Sequence, residues 1–296
     1  MLFTGMAIAL TLAQPAVRQA APQTDETIAV QRGARLVVNN FAGEVVVRGW
    51  AKDALRVVAR HQPRTRVNIR PGNSGVSITS SGQMGPASVD YEISAPTWMA
   101  VRIEGTYNFV NVEGTQAEIT ANTVRGDVVI KGGSGVVTAK SVEGEVQVSG
   151  ARGKVTASSI NEKVTISDTT GDISAESVNG NITMTGIDGT IVDATSVNGT
   201  IVYEGKLAEA GHYSFGTHNG DVILGIPEAA NATFTFRTYQ GSINTDFALD
   251  GYAPREARRG RRVTGTLGNG SADVNLETFG GSIRLRKGSA ARPRGR

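Results

Sequence analysis

The residues of this 296-residue chain that could do chemistry fall into four sets. His212 and His218 lie near Asp221, a grouping that raises the question of a metal. Asp127 and Glu145 stand 18 residues apart. Two carboxylates sharing one outer face are what a polysaccharide hydrolase or lyase needs. Thr120, Thr138, Thr156 and Ser174 recur at the same spacing, with Ser214 further on. Such a hydroxyl array could hold a glycan or ordered water. The last set is basic: Arg255, Arg258, Arg259, Arg261 and Arg262, then Arg292, Arg294 and Arg296. Guanidinium groups suit phosphate and carboxylate oxygens.

None of these sets is joined to a catalytic motif. The chain has no HExxH, no GxSxG, no Walker A and no GxGxxG opening a helix. Gly132-Gly133-Ser134-Gly135-Val136 starts like a calcium-binding nonapeptide but carries Val where Asp is required. With zero cysteines there is no thiolate chemistry and no disulfide framework. No metal, no cofactor and no catalytic residue is expected.

What must position these residues is a repeat. From Gly126 the chain falls into nine-residue units: GDVVIKGGS, GVVTAKSVE, GEVQVSGAR, GKVTASSIN, EKVTISDTT, GDISAESVN, GNITMTGID. Alternate units resemble each other more than neighbours do, so the coil is about 18 residues with two sides, each a short strand and a turn. Within a unit, apolar residues alternate with polar ones, the period of a strand with one buried face. Inward columns are expected at Val128, Val146, Val164, Ile182, Ile201, Val222, Ile243 and Ile283 on one side. On the other they read Ile119, Val137, Val155, Ile173 and Ile191, beside Ala121, Ala139, Ala157 and Ala175. A third inward column is expected before the turn: Val124, Val142, Ile160, Val178, Val197, His218, Tyr239 and Phe279. That register buries His218 and turns His212 outward, which separates them and argues against a shared metal. It also places Val192 as an interruption in the hydroxyl column and Asp193 in the alanine column, unless the extra residue near it turns Asp193 out. Thirty-seven glycines and the dipeptides Asn179-Gly180, Asn198-Gly199 and Asn219-Gly220 supply the turns.

The fold class is therefore all-β: a single-stranded β-solenoid, parallel β-helix-like, with coils of about 18 residues. Residues 24–107 lack the nine-residue register but read as strands, and are expected to form an N-terminal β-rich cap over the first coil's open edge. Residues 108–287 are the solenoid, with a basic loop insertion near 247–270 before the last coil. Residues 288–296 are a disordered basic tail. The apolar run at 2–13, too short to span a bilayer, reads with the linker to residue 23 as a signal peptide, although no Lys or Arg precedes it.

Asn40-Phe41-Ala42-Gly43-Glu44-Val45 with Arg48-Gly49-Trp50, the step Tyr91-Glu92-Ile93-Ser94-Ala95-Pro96, and the closing Gly268-Asn269-Gly270 to Gly280-Gly281-Ser282-Ile283 carry a resemblance. So do the Gly-Asp-Ile and Asn-Gly-Asn-Ile repeats between them. Over residues 25–287 the chain resembles a bacterial domain-of-unknown-function family of adhesin-like β-solenoids. The resemblance implies the fold and an adhesin-like role, and assigns no site residues.

Charge narrows the partners. From Asp250 onward there are 11 Lys+Arg against 4 Asp+Glu, and before it 19 against 23, so a basic end follows a mildly acidic body. Acidic glycans, lipid headgroups or envelope proteins are the expected partners. Nucleic acid is not, because no aromatic stacking platform accompanies the arginines. No transmembrane span is expected in the mature chain, and the expected location is secreted, periplasmic or cell surface. The reading is a non-enzymatic exported protein binding envelope or extracellular polymers through its solenoid surface, with Arg255, Arg258, Arg259, Arg261, Arg262, Thr120, Thr138, Thr156 and Ser174 as binding residues. The alternatives are a periplasmic scaffold or protein-interaction module and, third, a carbohydrate-active β-helix enzyme.

Overall fold

The computed structural model describes residues 24–253 and 262–288. Its 24 strands belong to one continuous hydrogen-bonded system, and no helix occurs among the described residues. The expected β-solenoid is present. Two stacks of parallel strands face each other across one apolar core. The first stack runs through Ile119–Asn122, Ser134–Ser141, Arg152–Ser159, Thr170–Ser177, Ile191–Ser196 and His212–Thr217. The second runs through Val128–Lys131, Val146–Ser149, Val164–Ser167, Ile182–Ile187, Ile201–Gly205 and Val222–Ile226. Partners are 18 residues apart in the regular part: Val137 faces Val155, and Val146 faces Val164.

Period two decides the core. Ile119, Val137, Val155 and Ile173 stack inward beside Ala121, Ala139, Ala157 and Ala175, against Val128, Val146, Val164 and Ile182 from the other stack. From residue 213 onward the alanine column gives way to Phe215, Leu276 and Phe236. The rings of Tyr203 and Phe215 then meet at 5.1 Å across the core. Two buried phenols are satisfied across the core: Tyr203 Oη donates to the Lys206 carbonyl at 2.7 Å, and Tyr213 Oη to the Gly189 carbonyl at 2.6 Å.

The third expected inward column is reversed. Val124, Ile160, Val178, Val197, Tyr239 and Phe279 are exposed, as is His218. The residue before each points in instead: Thr123, Ser141, Ser159, Ser177, Ser196, Thr217, Thr278 and Thr238 are all buried. The physical reason is a carbonyl. Where the chain turns from the first stack to the second, a backbone C=O faces inward, and an unpaired buried acceptor is costly. Ser159 Oγ donates to the Gly144 carbonyl at 2.9 Å, Thr217 Oγ1 to that of Gly199 at 2.9 Å, and Thr278 Oγ1 to that of Gly220 at 2.8 Å. Apolarity alone mis-assigned the column; the hydroxyl belongs inside.

One further residue moves. The pairing slips so that Ile173 faces Val192, which places the extra residue before Val192. Val192 is buried, Ile191 is exposed, and Asp193 faces outward opposite Ser174, so Asp193 and not Val192 interrupts the hydroxyl column.

Two glycines show why the turns tolerate little else. Gly171 has φ 122°, and a Cβ there would lie 2.1 Å from the Gly153 carbonyl oxygen one rung away. Gly220 has ordinary φ, yet its Cβ would lie 2.2 Å from the Gly199 carbonyl oxygen. Backbone packs on backbone at both corners.

The ends differ from the expected plain order. His212–Thr217 pairs with Ala272–Thr278, which pairs on its other side with Ala232–Thr238. In the second stack Ile283–Lys287 likewise lies between Val222–Ile226 and Ile243–Thr245. The last coil in sequence is thus the second-last rung in space. Residues 247–270 are not simply a loop: Val263–Leu267 pairs antiparallel with Ala232–Thr238 and covers its edge. The amino-terminal end mirrors this. Arg35–Trp50 lies between Ala100–Glu113 and the strands Gly75–Gly82 and Val89–Pro96, parallel to all three. Antiparallel strands Thr65–Gly72, Ala54–His61 and Thr24–Ala29 lie outermost. Residues 24–107 therefore supply solenoid rungs as well as a cap.

Candidate functional site

Each strand presents alternate side chains outward, and the parallel register stacks them into columns. Thr120, Thr138, Thr156 and Ser174 form one such half-exposed column on the first stack, as expected. Asp193, Ser214, Asn275 and Thr235 extend it. The basic residues are less informative. Arg255, Arg258, Arg259 and Arg261 lie outside the described residues, as do residues 1–23 and 289–296. Arg262 is described and exposed, directly before Val263–Leu267.

The carboxylate pair is engaged in the ladder. Asp127 Oδ1 accepts from the Glu145 backbone N–H at 2.8 Å, and Glu145 pairs with Lys163 at 2.9 Å. Asn181 and Asp221 repeat the Asp127 role, accepting from the N–H groups of Thr200 and Ser282 at 2.9 and 2.8 Å. This column ties rung to rung. His212 is exposed, with Nδ1 4.0 Å from Asp273 Oδ2. Among the described residues, no three of His, Cys, Asp and Glu come together as metal ligands.

The most prominent surface feature is the reversed column. Val124, Val142, Ile160, Val178, Val197, His218, Phe279 and Tyr239 form a ridge along one edge of the solenoid, tied at each step by a backbone bond such as Asn179 N–H to the Ile160 carbonyl at 2.8 Å. Beside it Asn161, Asn179, Asn198 and Asn219 form an exposed amide ladder. Each Nδ2 donates to the preceding Oδ1 at 2.9–3.0 Å. These bonds fix the edge that carries the ridge.

At its carboxy-terminal end the ridge becomes aromatic. The rings of His218 and Phe279 stack at 4.7 Å with 9° between planes, and Tyr239 follows at 5.1 Å from Phe279. The Arg237 guanidinium lies over Tyr239 at 4.9 Å and 3.4 Å from Glu277. A shallow groove of about 480 Å³ runs between these rings and the hydroxyl column, floored by Gly216. Another, of about 450 Å³, lies at the amino-terminal hairpin beside Arg64 and Arg66.

The sequence carried a signal for the ridge. The unit endings Ser-Val-Glu, Ser-Ile-Asn and Ser-Val-Asn repeat a small hydroxyl before a β-branched residue. Reading Ser as the inward member would have placed Val and Ile outside.

No helix among the described residues is long and apolar enough to cross a membrane. Nothing among the curated proteins matches the chain. A solved structure of a candidate cell adhesion protein from Clostridium sporogenes aligns over 89% of this chain and 99% of its own. Its identity is 10% and its TM-score 0.20, which carries no argument about fold or role. The family comparison is firmer. A domain described as Toastrack DUF4097 matches residues 175–286, from the middle rungs through the groove and the interlocked last coil. The opening motif around Asn40 to Trp50 lies outside that match. Over residues 175–286 the chain is similar to the Toastrack DUF4097 family.

Proposed function

We propose that this protein is a non-enzymatic, exported, adhesin-like solenoid that binds envelope or extracellular polymers along its outer faces. The observation that carries the reading is the periodic outer surface. The hydroxyl column from Thr120 to Ser174 and the ridge from Val124 to Tyr239 repeat at rung spacing, about 4.8 Å. A surface of that kind offers one contact many times over, which suits a repeating polymer. Acidic glycans and lipid headgroups are the partners for the basic segment carrying Arg255, Arg258, Arg259, Arg261 and Arg262.

The test is co-sedimentation of the full chain with isolated cell envelopes and with acidic polysaccharide, at low and high salt. A variant with Arg258, Arg259, Arg261 and Arg262 changed to Gln runs beside it. Salt-sensitive binding that the variant loses is the expected result. Turnover of a polysaccharide by the pure protein, abolished by Asp127→Ala, would overturn the non-enzymatic part.

The exposed apolar ridge favours a second reading, a scaffold or interaction module whose ridge docks an envelope protein. Binding lost on changing Ile160 and Val178 to Ser, and untouched by the arginine variant, would select it.

A further inference from the structure

We infer that the groove floored by Gly216 is a binding site for a ring of a neutral saccharide, held between the aromatic wall His218–Phe279–Tyr239 and the polar side chains of Ser214 and Asn275. The inference rests on the reading that polymers bind along the outer face, and places one subsite on it.

The first observation is the glycine itself. Gly216 lies inside the strand His212–Thr217 with no unusual φ, and an added Cβ there would meet nothing within 4 Å. Neither backbone conformation nor packing requires glycine. Its column is otherwise filled: Asn122, Lys140, Ser158, Glu176, Thr195, Glu277 and Arg237 hold the equivalent places. A strand-interior glycine weakens a sheet, and one with no structural demand marks close approach by something else.

The second observation is what surrounds the gap. The ridge turns from aliphatic to aromatic at this level and not before: Val197 gives way to His218, Phe279 and Tyr239. Mutual stacking fixes the rings, so they form a wall without further loss of side-chain freedom. On the other side of the gap stand a hydroxyl and an amide, from Ser214 and Asn275, and the Glu277 carboxylate lies beside Gly216 in its own column. A pyranose has the matching chemistry, with C–H surfaces for the rings and hydroxyls for the polar wall. The groove volume of about 480 Å³ falls in the range of small-ligand sites.

Charge selects among sugars. Glu277 is paired with Arg237, while Asp193 and Asp273 lie on the same outer face. Among the described residues these three carboxylates outnumber the Arg237 guanidinium, so a uronic acid is disfavoured and a neutral ring fits.

The test is amide NMR of the isotope-labelled full chain titrated with cellohexaose, chitohexaose and, as the charged comparison, hexagalacturonate. A neutral hexasaccharide should shift the amides of Gly216, His218 and Asn275 and saturate with a Kd of about 1 mM or tighter, as a shallow site allows. Hexagalacturonate should bind more weakly. Gly216→Val fills the groove and should weaken binding at least about ten-fold with an unchanged or higher Tm, because the new side chain meets open space. His218→Ala, an exposed change, should weaken it comparably and serves if the valine variant does not fold. No response at these amides to either neutral oligosaccharide overturns the site, as does wild-type affinity in both variants. Should that happen while salt-sensitive envelope binding persists, only this subsite is lost. Loss of both would remove the polymer-binding reading itself.

Discussion

Thr278 offers the sharpest test of the buried hydroxyl column. It is fully buried on the rung that the carboxy-terminal segment inserts between two earlier ones. Its Oγ1 donates to the Gly220 carbonyl at 2.8 Å and accepts from the Gly281 N–H at 3.1 Å. Thr278→Val keeps shape and volume and removes only the hydroxyl. The two backbone groups then lose this partner, at about 1–3 kcal/mol each when buried. Gly220 and Gly281 are only partly covered, so the lower part of that range applies, and the expected loss is about 2–4 kcal/mol. Thr278→Ser keeps both bonds and gives up one buried methyl, about 0.8 kcal/mol. In a chain of this size 1 kcal/mol moves Tm by about 2–4 °C. The valine variant should therefore melt about 4–16 °C below wild type, and the serine variant only about 2–3 °C below. Differential scanning calorimetry reads both. If the two variants melt together, the hydroxyl carries no special role and the account of the reversed column is refuted.

Other outcomes follow from the same structure. Ile173→Ala, in the core, should cost about 2–5 kcal/mol, whereas Ile160→Ser on the exposed ridge should stay within about half a unit; urea unfolding separates the two registers directly. Leu276→Ala removes a fully buried side chain between Phe215 and Phe236. Hydrogen exchange should then rise in residues 232–245, upstream in sequence but outboard in space, more than in residues 164–187; the reverse ranking would contradict the inserted rung. Burial pushes the Tyr91 phenol up to about 12 and raises those of Tyr203 and Tyr213 as well. In each case the native state holds its proton more tightly than the unfolded chain, whose phenols titrate near 10. Stability should be intact below about pH 10 and fall as pH rises toward the native values. Phenolate absorbance from these three should appear together with unfolding, and a smooth titration of all six tyrosines in the folded protein would count against their burial.

What was legible in the sequence was whatever repeats. Val, Ile and Ala at fixed offsets from each glycine fixed the two main inward columns, and the structure stacks Val137 on Val155 and Ala139 on Ala157 as that spacing requires. Two things were not legible, for different reasons. The reversed column failed because hydropathy weighs side chains and ignores the backbone. Val and Ile outrank Ser on any apolar scale, yet the turn's inward carbonyl needs a donor that only Ser or Thr supplies at that point. The interlocked ends failed because a rung's pattern tells which face is buried but not which neighbour it meets. Ile243 and Ile283 carry the same pattern and would fit either place.

The interlocked ends also bear on how such a rod resists fraying. A solenoid whose coils follow sequence order frays from its ends, since each terminal coil is held by one neighbour. Here each end holds a segment enclosed by strands on both sides. Arg35–Trp50 is held by Ala100–Glu113 on one side and by the cap strands on the other, and Ala272–Thr278 is held by strands from both sides. To release the carboxy-terminal rung at residues 272–287, the chain must break strand hydrogen bonds to the rungs on both of its sides. The groove at Gly216 is built across that junction, with His218 on the lower rung, Phe279 on the inserted one and Tyr239 on the outermost. A ligand spanning those three rings would bind only the interlocked arrangement, and so would stabilise the end of the rod on which it sits.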